Sequence, residues 1–163
     1  MHTGASAAFT DFTIRRERPD QPEVRALLDA LDAYLHSLYE PEANHILDVQ
    51  ALLAPSISFF VGRQGGRAVS TGAVRALPAL RAGEIKRMYT EPSLRGRGCA
   101  ARMIAVLEDE VRALGLEQAV LETGRDQHEA VRLYRRCGYT ECPPFAGYPD
   151  NGLSLFYAKD LAA

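Results

Sequence analysis

The residues Arg95-Gly96-Arg97-Gly98-Cys99-Ala100 have the types and spacing to hold an anion. Glycine reaches backbone angles closed to other residues and covers its neighbouring N–H groups with no side chain, so the amides from residue 96 to residue 100 can converge on one ligand. A patterned helix follows directly. Its first N–H groups lack acceptors inside the helix and its dipole places partial positive charge at the same end, an arrangement suited to a pyrophosphate. The plainer alternative is a tight turn carrying two arginines in water.

Around this stretch the chain supplies the elements that must position it. Phe9 to Arg16 reads as a first strand with Phe12 and Ile14 on one face. Asp20 and Glu23 resemble a capping box for a helix that runs to about Tyr39, with Val24, Leu27, Leu28, Leu31, Leu35 and Leu38 as its apolar stripe. Tyr39 to His45 breaks that helix at Pro41, and Ile46 to Leu53 forms a short second one before Pro55. This elbow is either a connector or a wall of a substrate pocket.

Ile57 to Arg63 and Ala68 to Leu77 form a hairpin around Gly65-Gly66. Glu84 to Thr90 is a fourth strand that leads into the glycine stretch. Cys99 to Leu114 is a helix with Met103, Ile104, Leu107, Val111 and Leu114 as its buried face, Glu108 and Arg112 paired outside, and Gly115 as its stop. Gln118 to Glu122 is a fifth strand and His128 to Cys137 a helix closed by Gly138. Strands near Tyr139 to Cys142 and Ser154 to Lys159 complete the chain, separated by the turn-rich loop Pro143 to Asp150.

With 163 residues the chain fits one domain, spanning 1–163 with an ordered core of about 9–161. Its 47% apolar and 25% charged residues are those of an ordinary globular protein. A net charge of -2 and a pI near 6.1 argue against a general nucleic-acid or membrane-surface binder, so an anion site must be local. No apolar run suggests a leader or a membrane span. Three cysteines without metal-ligand spacing argue against a disulfide framework or zinc site and for a reduced, cytoplasmic protein; no metal is expected.

Three readings of the glycine stretch compete. Gly96-Arg97-Gly98-Cys99-Ala100-Ala101 satisfies a dinucleotide-binding pattern, with Glu122 where a ribose-binding acid would stand. Against it, Glu91 to Arg95 separates the strand from the glycines, and the chain after Glu122 is too short for a second mononucleotide half. A triphosphate loop fails because no Gly-Lys-Ser or Gly-Lys-Thr closes the run.

The third reading is a resemblance. Arg95-Gly96-Arg97-Gly98-Cys99-Ala100 resembles the Gln/Arg-x-x-Gly-x-Gly/Ala signature of the GCN5-related N-acetyltransferase (GNAT) superfamily, which binds the pyrophosphate of acetyl-coenzyme A. Lys86 to Pro92 looks like that family's fourth strand and loop entry, and Ala130 to Tyr139 is similar to its Ala-x-x-Leu-Tyr-x-x-x-Gly-Phe/Tyr motif. Cys99 stands where the family commonly has an aliphatic residue, and a free cysteine is itself a small apolar side chain. The element order also matches. The resemblance implies an α/β (α+β) GNAT fold, a mixed and mostly antiparallel sheet of six to seven strands flanked by four helices and splayed between strands four and five.

The resemblance further implies an acetyltransferase that moves an acetyl group from acetyl-CoA to a primary amine of a small acceptor by direct attack in a ternary complex. Coenzyme A would lie against Met88, Tyr89, Thr90, Gln127, Tyr134 and the loop Arg95, Gly96, Arg97, Gly98, Cys99 and Ala100. A backbone N–H near Tyr89 would polarise the thioester carbonyl. Tyr134 aligns with the family tyrosine that protonates the departing thiolate; its alternative is a packed core tyrosine. Glu84 occupies the offset of a catalytic glutamate in some members; the alternative is a structural role in which Lys86 on the same strand face, with Met88 and Thr90, neutralises it. Glu122, His128 and a water relay are further candidates for the base.

The acceptor pocket implied by the resemblance lies between the elbow and the last loop, at Tyr39, Glu42, His45 and Tyr148, where carboxylates beside aromatics would suit a cationic or amphiphilic amine. Partners are then a small-molecule amine, with no nucleic acid and no membrane, and with room for a homodimer. A different class also fits: a non-catalytic acyl-CoA sensor or partner-binding module on the same fold.

Overall fold

The computed structural model describes residues 11–40 and 46–162. In chain order it runs β1 (Phe12–Arg16), α1 (Pro22–Leu38), α2 (Val49–Leu52), β2 (Ile57–Gln64), β3 (Arg67–Leu77), β4 (Ala82–Thr90), α3 (Cys99–Ala113), β5 (Gln118–Gly124), α4 (His128–Arg136), β6 (Thr140–Glu141) and β7 (Ser154–Asp160). The strands form one seven-stranded sheet in the order β1-β2-β3-β4-β5-β7-β6. Neighbours are antiparallel except β4 and β5, which run parallel. Among the described residues no helix is long and apolar enough to cross a membrane.

Strand alternation divides the core in two. Val74, Ile85, Met103, Leu107, Leu121 and Tyr157 pack between the sheet and α3 and α4. Val24, Leu28, Leu52, Phe59, Val61 and Ala73 pack on the opposite face beneath α1 and α2. Neighbouring β2 residues Phe59 and Phe60 therefore belong to different layers, as a pleated strand requires.

Three local expectations are corrected. Leu114, expected on the buried face of α3, is its C-cap and stands exposed. Asp20 does not cap α1; it is held by Arg18 through two bonds of 3.0 and 2.8 Å, and Gln21 takes the N-cap position with Pro22 as the first helical residue. Proline suits that place because it has no N–H to satisfy. Glu108 does not pair with Arg112 at the surface. It is 6% exposed and accepts from Tyr139 Oη at 2.8 Å and Lys159 Nζ at 3.1 Å, while Arg112 turns to Asp109. Its position beside Leu107 and Ile104 puts it on the packed side of α3, where a carboxylate must find donors.

The feature that shapes the middle of the sheet is a parting of strands. β4 and β5 pair from Ala82 with Gln118 to Ile85 with Leu121 and no further, although β4 continues to Thr90 and β5 to Gly124. At the same point β4 bulges: Ala73 pairs with Lys86 and Thr71 with Tyr89, so Gly72 faces both Arg87 and Met88. Arg87 takes a φ of 56° there. The extra residue overturns the expected alternation, because Met88 packs with Ile85 against the α3 and α4 layer and no longer shares a face with Glu84 and Lys86.

The paired part of the β4–β5 seam depends on close approach of α3. A Cβ on Gly83 would stand 2.5 Å from Val111 Cγ2 and 2.9 Å from Val74 Cγ1, two stiff β-branched side chains. Gly83→Ala is expected to lower stability by about 2 kcal/mol and the thermal midpoint by roughly 4–8 °C, read by calorimetry. An unchanged midpoint would show that the layer can yield.

Candidate active site

Beyond Ile85 the end of β4 borders a cleft of about 620 Å³, while the β5 residues past Leu121, Glu122 to Gly124, line a smaller cavity beside it. One wall of the cleft is the end of β4 at Met88, Tyr89 and Thr90. Its floor is the loop at Arg95, Gly96, Gly98, Cys99 and Ala100, and the facing wall is α4 with Gln127, Ala130, Leu133, Tyr134 and Cys137. Of the residues expected to contact a coenzyme, Arg97 alone is absent from this lining.

The loop has the form of a cradle. Gly96 and Gly98 take φ values of 78° and 85°, angles that disfavour any side chain, and a Cβ on either would meet nothing within 4 Å, so the space above them is open. The N–H groups of Cys99, Ala100 and Ala101 precede the first helical bond, from Arg102 N to Gly98 O at 3.1 Å. These observations fit a di-anion. Arg95 lines the cleft and also makes contacts of its own: its Nε donates to Thr90 O at 2.9 Å and its guanidinium lies over the Tyr89 ring, 5.5 Å from the centroid. The side chain ties the loop to the strand end.

A second, smaller cavity of about 100 Å³ adjoins the first and shares Leu31, Met88, Gln127 and Tyr134 with it. Its polar lining is Lys86, Glu122, Tyr39 and Ser154, and its apolar lining includes Leu35, Ile46 and Leu153. Tyr134 stands where the two spaces meet. It is 7% exposed, its hydroxyl makes no hydrogen bond among the described residues, and burial, then the nearby Cys137 and Glu122, pushes its pKa well above the ordinary tyrosine value. It therefore keeps its proton at neutral pH.

Glu84 lines neither cavity. It is completely buried, accepts a hydrogen bond from Tyr148 Oη at 2.6 Å, and lies 3.5 Å from Lys86 Nζ. Arg75 approaches Oε1 to 2.7 Å without hydrogen-bond alignment, leaving Arg75 Nε and Glu84 Oε1 without such a bond. Tyr148 also accepts from Lys86 Nζ at 2.7 Å and packs on Phe145 and Phe156, so it seals the carboxylate from the cleft. Burial lowers the Lys86 pKa, an effect that Glu84 and Glu122 oppose.

Tyr39 does line the small cavity, its hydroxyl accepting from Asp126 N at 3.1 Å above Gly124. Glu42 and His45 lie outside the described residues. What sequence reasoning missed is the contribution of α1, where Leu31 and Tyr34 line the cleft. It also missed the pair Arg87 and Asp32, in contact at 2.5 Å, which links α1 to the bulge. The 127, 130, 134, 137 spacing on α4 carried a readable signal for that wall. Among the described residues no three His, Cys, Asp or Glu side chains are grouped to hold a metal ion.

Comparison with known proteins places this geometry. The sequence model of the acetyltransferase (GNAT) family matches residues 24–139. An IAA acetyltransferase of Azospirillum brasilense is 43% identical over 149 residues, covering 91% of this chain and 97% of that protein. A crystal structure from Klebsiella pneumoniae, described as an acyl-CoA N-acyltransferase, superimposes with a TM-score of 0.77 at 34% identity, covering 92% of this chain and 97% of that one. An aminoglycoside 6'-N-acetyltransferase complexed with coenzyme A shares the fold, with a TM-score of 0.71 at 15% identity over 93% of this chain and 98% of its own.

The burial of Glu84 yields a test that separates two roles. Glu84→Gln leaves Arg75 and Lys86 without their counter-charge and is expected to cost roughly 3 kcal/mol of stability in urea denaturation. Retained stability with lost activity would instead assign Glu84 to proton transfer.

Proposed function

This chain belongs to the acetyltransferase (GNAT) family and is an acyltransferase, and from that premise we propose that it transfers an acetyl group from acetyl-CoA to a primary amine of a small acceptor. The observation that supports this reading best is the continuity of two spaces at Tyr134, a long cleft floored by the glycine cradle and a small cavity with a carboxylate on its wall. Acetyl-CoA, when bound, supplies the acyl group as a thioester.

The chain's own groups divide the work. Backbone N–H groups from Gly96 to Ala100 hold the pyrophosphate, and the freed edge of β4 from Met88 to Thr90 orients the pantetheine arm. The bulge at Arg87 turns β4 so that an N–H near Tyr89 can face the carbonyl oxygen and stabilise the charge that develops there. Tyr134 keeps its proton on Oη, delivers it to the leaving sulfur, and is restored by the second proton that the nitrogen sheds as the amide forms. Glu122, on the wall of the small cavity, takes the proton from the acceptor's ammonium group, which otherwise titrates near ~10.4 and would be a poor nucleophile at neutral pH. Glu84 acts at one remove, by holding Tyr148 and Lys86. Attack takes place with both substrates bound.

Two variants test this division. Tyr134→Phe is expected to lower kcat about 100-fold, within the range for a general acid, with coenzyme A affinity in calorimetry unchanged. Gly98→Val, at a φ of 85° and directed into the cradle, is expected to weaken coenzyme A binding at least about tenfold, or about 1.4 kcal/mol. Full kcat in the first variant would remove Tyr134 from the chemistry, and unchanged affinity in the second would remove the cradle. Acceptors assayed for thiol release from acetyl-CoA should include IAA, the compound in the name of the Azospirillum relative.

A further inference from the structure

We propose that Arg87 and Asp32 are positioning residues for the transfer, together holding the bulge of β4 that turns an N–H near Tyr89 toward the thioester carbonyl; this rests on the acetyltransferase reading above. Faces of the strand decide the matter. Residues directly opposite each other in an antiparallel pair share one face of a sheet. Ile85 pairs with Val74, and both belong to the layer beneath α3 and α4, whereas Lys86 pairs with Ala73, which packs beneath α1 and α2. Strict alternation would then send Arg87, opposite Gly72, back to the α3 side. A Cβ on Gly72 would stand 2.8 Å from Met103 Cγ and 3.0 Å from Leu107 Cδ1, so that side of the strand pair is apolar and tightly filled. Burying a guanidinium there without a counter-charge would be costly.

The bulge avoids that cost. At a φ of 56° Arg87 leaves the alternation, its side chain meets Asp32 of α1, and the next residue, Met88, takes the place in the apolar layer. The Arg87 side chain is 3% exposed and its Nε makes no hydrogen bond among the described residues, so the contact of its Nη1 with Asp32 Oδ1 at 2.5 Å supplies the counter-charge. Thr71 Oγ1 fixes the backbone at the same residue, donating to Arg87 O at 2.8 Å. A charged side chain thus selects the bulged form of the strand over the regular one, and Asp32 provides the place where that charge can rest. Arg87 and Leu31, the neighbour of Asp32, both line the small cavity, so the pair stands beside the reacting groups.

Infrared difference spectroscopy of bound acetyl-CoA, isotope-labelled at the acetyl carbonyl carbon, reads this polarisation directly and needs no acceptor. In the unmodified protein the bound carbonyl should absorb at lower frequency than in free acetyl-CoA. The double variant Asp32→Leu with Arg87→Met removes both charges together and leaves no broken pair, so its thermal midpoint should be unchanged or higher. Its carbonyl band should return most of the way to the free position, and thiol release with a series of amines should fall about 100-fold, the scale of one lost oxyanion donor, while coenzyme A affinity in calorimetry holds. Arg87→Lys keeps the charge and should keep the shift. A double variant with the full shift, or Arg87→Lys that loses it as completely, overturns the positioning role and leaves acetyl transfer intact. No shift in the unmodified protein with acetyl-CoA bound overturns the polarising N–H itself, and the proposal with it. If the double variant does not fold, Asp32→Asn, which keeps the shape and removes the counter-charge, carries the same expectation for the carbonyl band and the same power to overturn it.

Discussion

Hydrogen bonding between β4 and β5 ends at Ile85 and Leu121, and a strand edge released inside a folded domain must find other partners for its N–H and C=O groups. The rest of the molecule is arranged around that released edge. On its far side β5 stays zipped to β7 as far as Gly124 and Ser154, so the opening forms on one side only. β4 answers with its bulge, and a left-handed φ at a non-glycine residue costs of order 1 kcal/mol or more. It persists because it is held from two directions: Thr71 Oγ1 donates to Arg87 O at 2.8 Å, and the Arg87 side chain meets Asp32 of α1. A helix on one face of the sheet thereby fixes the conformation of a strand at its centre.

The second organising problem is charge. Glu84, Lys86 and Arg87 are charged residues within four positions of a central strand; Glu84 meets Arg75 of β3 and Lys86 of its own strand, and Arg87 meets Asp32 of α1. Such pairs contribute little to net stability once their desolvation is counted, but a wrong arrangement leaves a buried charge alone and is heavily penalised. Their effect is therefore on geometry. Tyr148 joins this network from the last loop, so that loop, β3, β4 and α1 are registered to one another by contacts that apolar packing alone would not specify.

The sequence made the elements and the glycine cradle legible because their signals are local. Helical spacing marked α1, α3 and α4, Gly65-Gly66 marked the hairpin, and Gly96 and Gly98 marked the open turn that leads into α3. What stayed hidden was non-local. The carboxylate of Glu84 sits at a plausible offset for a base, yet a tyrosine 64 residues away covers it. Nothing in the strand pattern of Lys86 to Thr90 disclosed the bulge, since one inserted residue leaves composition and hydrophobicity unchanged while reversing which side Met88 faces. Asp20 and Glu108 misled for a related reason: each matched a local motif, and a competing partner, Arg18 in one case and Tyr139 with Lys159 in the other, prevailed.

The bond from Arg95 Nε to Thr90 O reaches past its immediate neighbourhood. It clamps the glycine loop to the end of β4, so the floor of the cleft and the strand that parts from β5 cannot drift independently. Between the amides of the loop and the bulge at Arg87 the separation is thus set by covalent chain and one guanidinium. A change at Arg95 therefore reaches the end of the strand as well as the loop it belongs to.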